Sequence, residues 1–335
     1  MKRLKALMLI LLIGLFVYLP INIYAYTLSK DDKIYVSGEA IGIKLNCGIE
    51  VVGTFGLEVD GIIYKPWYKA GIEEGDIITS LNNIAVHTKT DILNVLTQVK
   101  DNEVAITYIR GEKELESIIQ AVASSDGYSL GLYIRDSILG VGTLTYYIED
   151  ANIYGSLGHK ITNSDYYNGE IFEASVTGIK MPTRSEAGEK KASITGRSIG
   201  SVSKNTNTGV HGIANSNIDT SNMKLLPFKT REEIKLGDAE IWTCINGTLV
   251  EKFDIKITSL EHQNKKDIKG ISFKVTDKEL LSKTGGIIQG MSGSPIIQDG
   301  AIIGAVTHVS LNNSANAYGI YIEWMFEDMG VLIEN

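Results

Sequence analysis

From Thr143 onward the chain is a succession of short β-branched and apolar runs, at 143–148, 172–179, 192–196, 239–245, 252–257, 271–275, 287–289, 296–297, 301–307 and 317–322. Glycine and polar turns separate them, and few long helical periods intervene. A single run of this length cannot cover a core, so many of them in sequence demand a barrel or a sandwich. The 335 residues leave room for two domains, each with its own core. Thirty-four glycines against five prolines fit an ordered, strand-rich chain.

Within this region one stretch carries chemistry. Thr284 to Val309 holds a glycine-flanked serine, Gly290-Met-Ser292-Gly-Ser-Pro295, then an apolar strand, the Asp299-Gly300 turn and a second apolar strand to His308. A serine that attacks a carbonyl needs its hydroxyl at a tight bend, with backbone N–H groups aimed at the developing oxyanion. Gly290 and Gly293 allow dihedrals that a side chain would forbid. The N–H groups of Gly290 and Ser292 are the oxyanion-hole candidates. A hairpin turn that merely contains Ser and Gly is the plainer account, but the whole order of turn, strand, turn and strand favours function.

These residues resemble a known family. Gly290–Pro295 is similar to the Gly-Asp/Asn-Ser-Gly-Gly-Pro nucleophile motif of chymotrypsin-like serine peptidases, and more closely to the stage-IV-B sporulation peptidases, the SpoIVB peptidase family. Gly155-Ser-Leu-Gly-His159, Lys274–Leu281 and Ala305–His308 leading to Ile322–Met325 match as well. The likeness runs from about Lys33 to the C-terminus. It implies a mainly β architecture with a trypsin-like double β-barrel over 128–335 and the active site between the barrels. It implies His159 as general base, 133 positions before Ser292, and Asp277 as the acid that orients it. Asp277 lies only fifteen positions before the serine, whereas ordinary chymotrypsin-like enzymes carry their aspartate nearer the histidine. It also reads as a helix start, and Asp219, Asp238 and Asp254 are the alternatives. The strand ending at Thr307 resembles the one that runs beside the substrate backbone, which makes Thr307, His308 and Val309 the expected substrate contacts. The charged loop 181–191 receives no role.

Residues 33–121 resemble a PDZ domain. The marker is Ala70-Gly71-Ile-Glu-Glu-Gly75-Asp76-Ile-Ile78, followed by an amphipathic helix from Thr88 to about Val99 and a strand at 104–110. Such domains add an extended peptide to an exposed strand edge. The expected edge is at Ile41, Gly42 and Ile43, opposite the Thr88–Val99 helix. The peptide could include the protein's own N-terminal segment.

Met1-Lys-Arg-Leu-Lys5 precedes an uncharged apolar run to Leu19, the pattern of an export signal. Residues 1–25 are therefore expected to be a signal peptide or a membrane anchor, followed by a linker over 26–32. The rest of the chain is expected outside the cytoplasm. A formal charge of −8 without a basic block beyond the N-terminus gives no reason to expect nucleic acid. Cys47 and Cys244 form no Cys-x-x-Cys, so neither a disulfide framework nor a metal site is expected, and no residue pattern suggests a cofactor.

The resemblance implies an exported serine endopeptidase of sporulation, acting between forespore and mother cell. Its substrate would be a membrane-anchored regulator whose cleavage releases processing of a sigma-factor precursor. It would also cut itself near its N-terminus, within Tyr26–Asp32. A non-catalytic PDZ adaptor is the second reading, and a cysteine hydrolase built on Cys244 is a third that lacks a glycine elbow.

Overall fold

The computed structural model describes residues 26–111, 113–124, 127–161, 168–183, 186–310 and 313–334. The expected signal or anchor at 1–25 lies outside the described residues. The first-barrel and PDZ strands are β1 (Lys33–Val36), β2 (Ala40–Thr54), β3 (Ile77–Leu81), β4 (Glu103–Arg110), β5 (Lys113–Gln120), β6 (Leu132–Ile148), β7 (Ile153–Ser156), β8 (Asn168–Lys180), β9 (Glu189–Thr206) and β10 (Gly209–Ala214). Then come β11 (Gly237–Cys244), β12 (Val250–Leu260), β13 (Ile271–Val275), β14 (Pro295–Gln298), β15 (Ala301–Ser310) and β16 (Asn313–Tyr321). The helices are α1 (Pro66–Ala70), α2 (Lys89–Leu96), α3 (Lys278–Thr284) and α4 (Ile322–Asp328).

Strands β6, β7, β10, β9, β8 and β2 form a ring, closed because β6 pairs with both β7 and β2. Strands β11, β12, β13, β16, β15 and β14 form a second closed barrel. Alternation along single strands fills both interiors. Ile41, Ile43 and Leu45 of β2 point into the first barrel, and Phe253, Ile255 and Ile257 of β12 into the second, with exposed residues between the latter. A period of two is what a barrel wall with one dry face requires.

The PDZ unit does not precede the barrels, as its position in the chain suggested. It is inserted into the first one. β2 and β6, fifteen and seventeen residues long, run out of the barrel and continue paired as far as Leu132 opposite Thr54. There they join β3, β4 and β5 in a sheet. Ile49, Val51, Ile78, Val95, Val104 and Ile119 form its core, separate from the barrel cores. Residues 33–46, expected within the PDZ domain, belong instead to the peptidase, because their apolar side chains are buried in the barrel rather than in the small domain. The helix expected at Thr88–Val99 is α2; Thr88 caps it, and Asp91 returns the bond to complete a capping box.

Tyr26–Asp32 is not a free linker. Thr27 and Leu28 pair in parallel with Leu332 and Ile333, and Leu28 is buried in the second barrel's core, which holds the segment down. Thr27 and the turn at Lys30–Asp31 are exposed.

A partly buried polar cluster ties the barrels together. Asp328, at the end of α4, accepts from Thr206 at 2.6 Å, from Thr208 and from Lys266. Thr208 also meets His211 Nε2 at 3.1 Å, and His211 pairs in register with Gly155, on the strand that leads to His159. Burial pushes the His211 imidazole down to about 4 from 6.5, so it is neutral in the fold. Unfolded chains bind its proton already near 6.5, which means that the unfolded state holds more protons between those values and stability falls as pH falls. The slope from this group is at most about 1.4 kcal/mol per pH unit. Urea unfolding of wild type and His211→Gln at pH 4 to 6.5 should therefore give a flatter curve for the variant; parallel curves would assign the acid sensitivity elsewhere.

Candidate active site

His159 and Ser292 come from different barrels and meet: His159 Nε2 lies 2.9 Å from Ser292 Oγ. Two close approaches make this possible. A Cβ on Gly293 (φ +91°) would stand 2.2 Å from the Thr143 carbonyl oxygen and 2.4 Å from Leu157 N. A Cβ on Gly158 (φ +69°) would stand 2.9 Å from Thr307 Cγ2. Only glycine lets the serine turn, the histidine loop and β15 lie against one another. Leu157, also left-handed at φ +65°, bends the chain just before Gly158 and His159.

The serine turn is held through its carbonyls. Thr143 N–H donates to Ser292 O and Thr143 Oγ1 to Gly290 O, each at 3.0 Å, and Thr145 Oγ1 donates to Gly293 O at 2.7 Å. The N–H groups of Met291, Gly293 and Ser294 are engaged with Ile288, Val306 and Met291 carbonyls. Among the described residues the N–H groups of Gly290 and Ser292 have no partner, which is what an oxyanion hole requires before substrate arrives.

Lys190 fixes this arrangement. Its N–H donates to Gln289 O at 2.9 Å, and because a trans peptide sets C=O and N–H on opposite sides, the Gly290 N–H is turned the other way. Its ammonium, 1% exposed, contacts Thr243 Oγ1 at 2.9 Å, the Cys244 carbonyl at 3.1 Å and Thr143 Oγ1 at 3.4 Å. Desolvation lowers it to about 8. The loop to which no role was given thus contributes its last residues to the site. Its composition hid this, because a lysine in a charged stretch reads as solvated. Thr143 and Thr145 do carry a signal in the sequence, two threonines at alternate positions in an otherwise apolar strand.

The third expected triad member is absent from the contact. His159 Nδ1 lies 2.9 Å from its neighbour's carbonyl, Lys160 O. A carbonyl can only accept, so Nδ1 carries the proton and Nε2 is left to accept from the serine hydroxyl. Asp277 does not reach this ring; its side chain accepts from Leu280 N at 2.8 Å as the N-cap of α3. The helix-start pattern in its sequence is the role it plays here. With both ring nitrogens occupied, Asp219, Asp238 and Asp254 do not orient the imidazole either.

Beside the serine, Thr307 O lies 3.1 Å from Ser292 Oγ and competes with His159 Nε2 for its one proton, and Thr307 Oγ1 is tied inward to Ile268 O and Tyr318 O. A bulge between Val306 and His308 re-aims the strand at this point. From Thr307 to Val309 β15 pairs only with β16 among the described residues, so its other edge borders the cleft. The His308 ring centre is 5.1 Å from that of His159. Desolvation, with His159 and Lys269 nearby, holds its imidazole below the ordinary value.

Ile41, Gly42 and Ile43 do not form a peptide groove. Both edges of β2 are occupied there, by Gly142, Val141 and Gly140 of β6 and by Glu173, Phe172 and Ile171 of β8. The edge that remains open beside α2 belongs to β6. Leu132–Ser137 pairs only with β2 among the described residues, and Lys89 N–H, at the start of α2, donates to Asp136 at 2.9 Å. Cys244 is fully buried, its thiol raised by burial and donating to Thr248 O, so no cysteine nucleophile faces the cleft.

Two closed barrels, a serine and histidine in contact between them, and an inserted peptide-binding fold define a PDZ-containing serine peptidase. The sequence profile of the SpoIVB peptidase S55 family matches residues 126–326, and that of the PDZ domain matches residues 57–120. The chain belongs to the SpoIVB peptidase S55 family. Parts of it are similar to the active form of the Rv3671c protease of M. tuberculosis, at 14% identity over 56% of this chain and 70% of that one, with a TM-score of 0.33. A PDZ domain of an SdrC-like protein of Listeria monocytogenes is similar at 20% identity, over 27% of this chain and 90% of that one, with a TM-score of 0.22. No curated protein matches the chain.

Because Asn can replace Asp as an N-cap, Asp277→Asn should keep kcat/KM within about threefold of wild type, and Asp277→Ala should lose about 1 kcal/mol of stability. A fall of about 10⁴ in kcat for a well-folded Asp277→Asn enzyme, the scale expected when a triad carboxylate is removed, would restore the residue to the mechanism.

Proposed function

We propose that this protein is an exported serine endopeptidase of sporulation that cuts a membrane-anchored regulator, and itself, to trigger processing of a sigma-factor precursor. The observation that carries the catalytic part is the 2.9 Å contact between Ser292 Oγ and His159 Nε2, beside two N–H groups with no partner. In the reaction Ser292 Oγ attacks the scissile carbonyl carbon and its proton passes to Nε2. The carbonyl oxygen becomes an oxyanion between Gly290 N–H and Ser292 N–H. His159 returns the proton to the leaving amine, and water then hydrolyses the acyl-enzyme. The Lys160 carbonyl holds the imidazole in the correct tautomer throughout, by its dipole rather than by a full charge.

The outer edge of Thr307–Val309 would pair with residues before the scissile bond, His308 contributing to specificity. The PDZ ligand would lie between the open edge of β6 and α2. The sporulation setting, the forespore intermembrane location and the membrane-anchored target rest on the family resemblance, whereas association with the membrane through the N-terminus rests on the basic and apolar pattern of Met1–Leu19. Self-cleavage near the N-terminus fits the exposed turn at Lys30–Asp31; cutting nearer Leu28 would need that strand to detach first. The adaptor reading is disfavoured because a protein that only binds has no need of the serine–histidine contact.

A serine-directed fluorophosphonate tests the chemistry. Residues 26–335 should be labelled, and both Ser292→Ala and His159→Ala should lose labelling by at least about a hundredfold. Well-folded wild-type protein that takes no label would favour the adaptor.

A further inference from the structure

Strand β6 serves two sites. At its start, Gly131 (φ +68°) turns the chain into the PDZ sheet and its carbonyl accepts at 2.9 Å from the N–H of Phe55, the residue after β2. The same peptide plane therefore directs Leu132 N–H away from β2, to the side of α2. Leu96 and Leu130 are buried at this end, while Leu93 of α2 is 61% exposed along the flank. Further along the strand, Leu139, Gly140 and Val141 line one side of a cavity of about 540 Å³ that spreads over the sheet face to Gly42 and Ile194 and reaches Gln289 and Gly290. That cavity adjoins the oxyanion glycine. Thr143, two positions further on, is the residue that holds the Ser292 and Gly290 carbonyls. Between Leu132 and Gly142 the described residues pair only with β2, so one uninterrupted edge links the small domain to the nucleophile turn.

Direction agrees at both ends. α2 begins beside Asp136 and ends toward the Leu130–Gly131 turn, so a chain laid antiparallel to β6 would finish at that turn. There the Leu132 N–H can meet a terminal carboxylate, and the buried leucines can meet an apolar last side chain. The leaving-group half of a substrate, starting beside Gly290 and running antiparallel to β6, travels the same way.

We propose that β6 is a ruler: the peptidase holds the free carboxyl terminus of its substrate at the Leu130–Leu132 turn and cuts at a set distance before it. This rests on the serine-peptidase and peptide-groove reading given above. The ten positions from Gly131 to Val141 span about 33 Å of strand, which sets the cut about ten residues before the terminus. Two bulges, at Tyr133/Ile134 and Arg135/Ser137, shift this by a residue or so. The bond broken is an ordinary peptide bond, with water consumed, the acid left on the upstream product and the amine on the released tail.

The test uses the full-length protein and a set of unstructured 24-residue peptides with varied interiors, an apolar last residue and a free carboxyl terminus, with products read by mass spectrometry. Cuts should cluster about ten residues before the terminus. Adding three residues to the tail should move the cut by three. Amidating the terminus, or introducing Leu93→Glu, should raise KM about tenfold and scatter the cuts, while fluorophosphonate labelling stays at the wild-type rate. A cut that stays with one sequence when the tail is lengthened overturns the ruler, as does a labelled enzyme that cuts none of the peptides. Loss of labelling itself would instead overturn the hydrolase reading on which the ruler rests.

Discussion

Everything in this molecule that bears on chemistry depends on two backbone segments lying closer than any side chain would permit. Gly293 touches the Thr143 carbonyl and the backbone of Leu157, and Gly158 touches Thr307 across the barrel interface. The serine and the histidine are therefore brought together by the absence of atoms. Threonines 143 and 145 then convert proximity into orientation. Each donates its hydroxyl to a carbonyl of the serine turn, so the remaining N–H groups face the cleft. The cost is a wall of buried polar groups behind the turn, including the Lys190 ammonium, and burial on this scale is tolerated only when each group is bonded.

The orienting group on His159 is a backbone carbonyl. A carbonyl selects the tautomer as well as a carboxylate does, but it supplies a partial charge to the imidazolium that forms in the transition state. His308 beside the ring is held below the ordinary imidazole range, chiefly by burial. Behind the histidine strand, the Asp328–Thr208–His211 chain joins α4 of the second barrel to β10 of the first. A connected polar network of this kind, reaching from the half-buried Asp328 to the buried His211, helps to fix the relation of the barrels.

The strands were legible in the sequence because alternation and glycine turns are local signals, while their closure into two barrels was implied by the family resemblance. Also legible were Ser292 and His159, whose flanking glycines mark the approaches that the fold uses. Strands β7 and β10 leave little trace in the sequence, since Ile153–Ser156 and Gly209–Ala214 are short and interrupted by glycine. The insertion of the PDZ unit was not legible either, because a strand shared by two domains looks like any other strand. For that reason Ile41–Ile43 were placed on an open edge, when β8 arrives from more than a hundred positions later to cover them. Asp277 shows the reverse case: its local helix-start pattern was read correctly, and the role transferred by resemblance is the one that the geometry does not support.

The long strands β2 and β6 make the small domain an outgrowth of the catalytic barrel instead of an attachment on a linker. A crystal structure of the Ser292 phosphonate adduct would test the account most directly. The account predicts the phosphoryl oxygen between Gly290 N–H and Ser292 N–H, at about 2.7–3.1 Å from each, with His159 Nδ1 still on the Lys160 carbonyl. An adduct whose oxygen points away from those two groups, or one in which the Asp277 carboxylate has moved onto Nδ1, would contradict it.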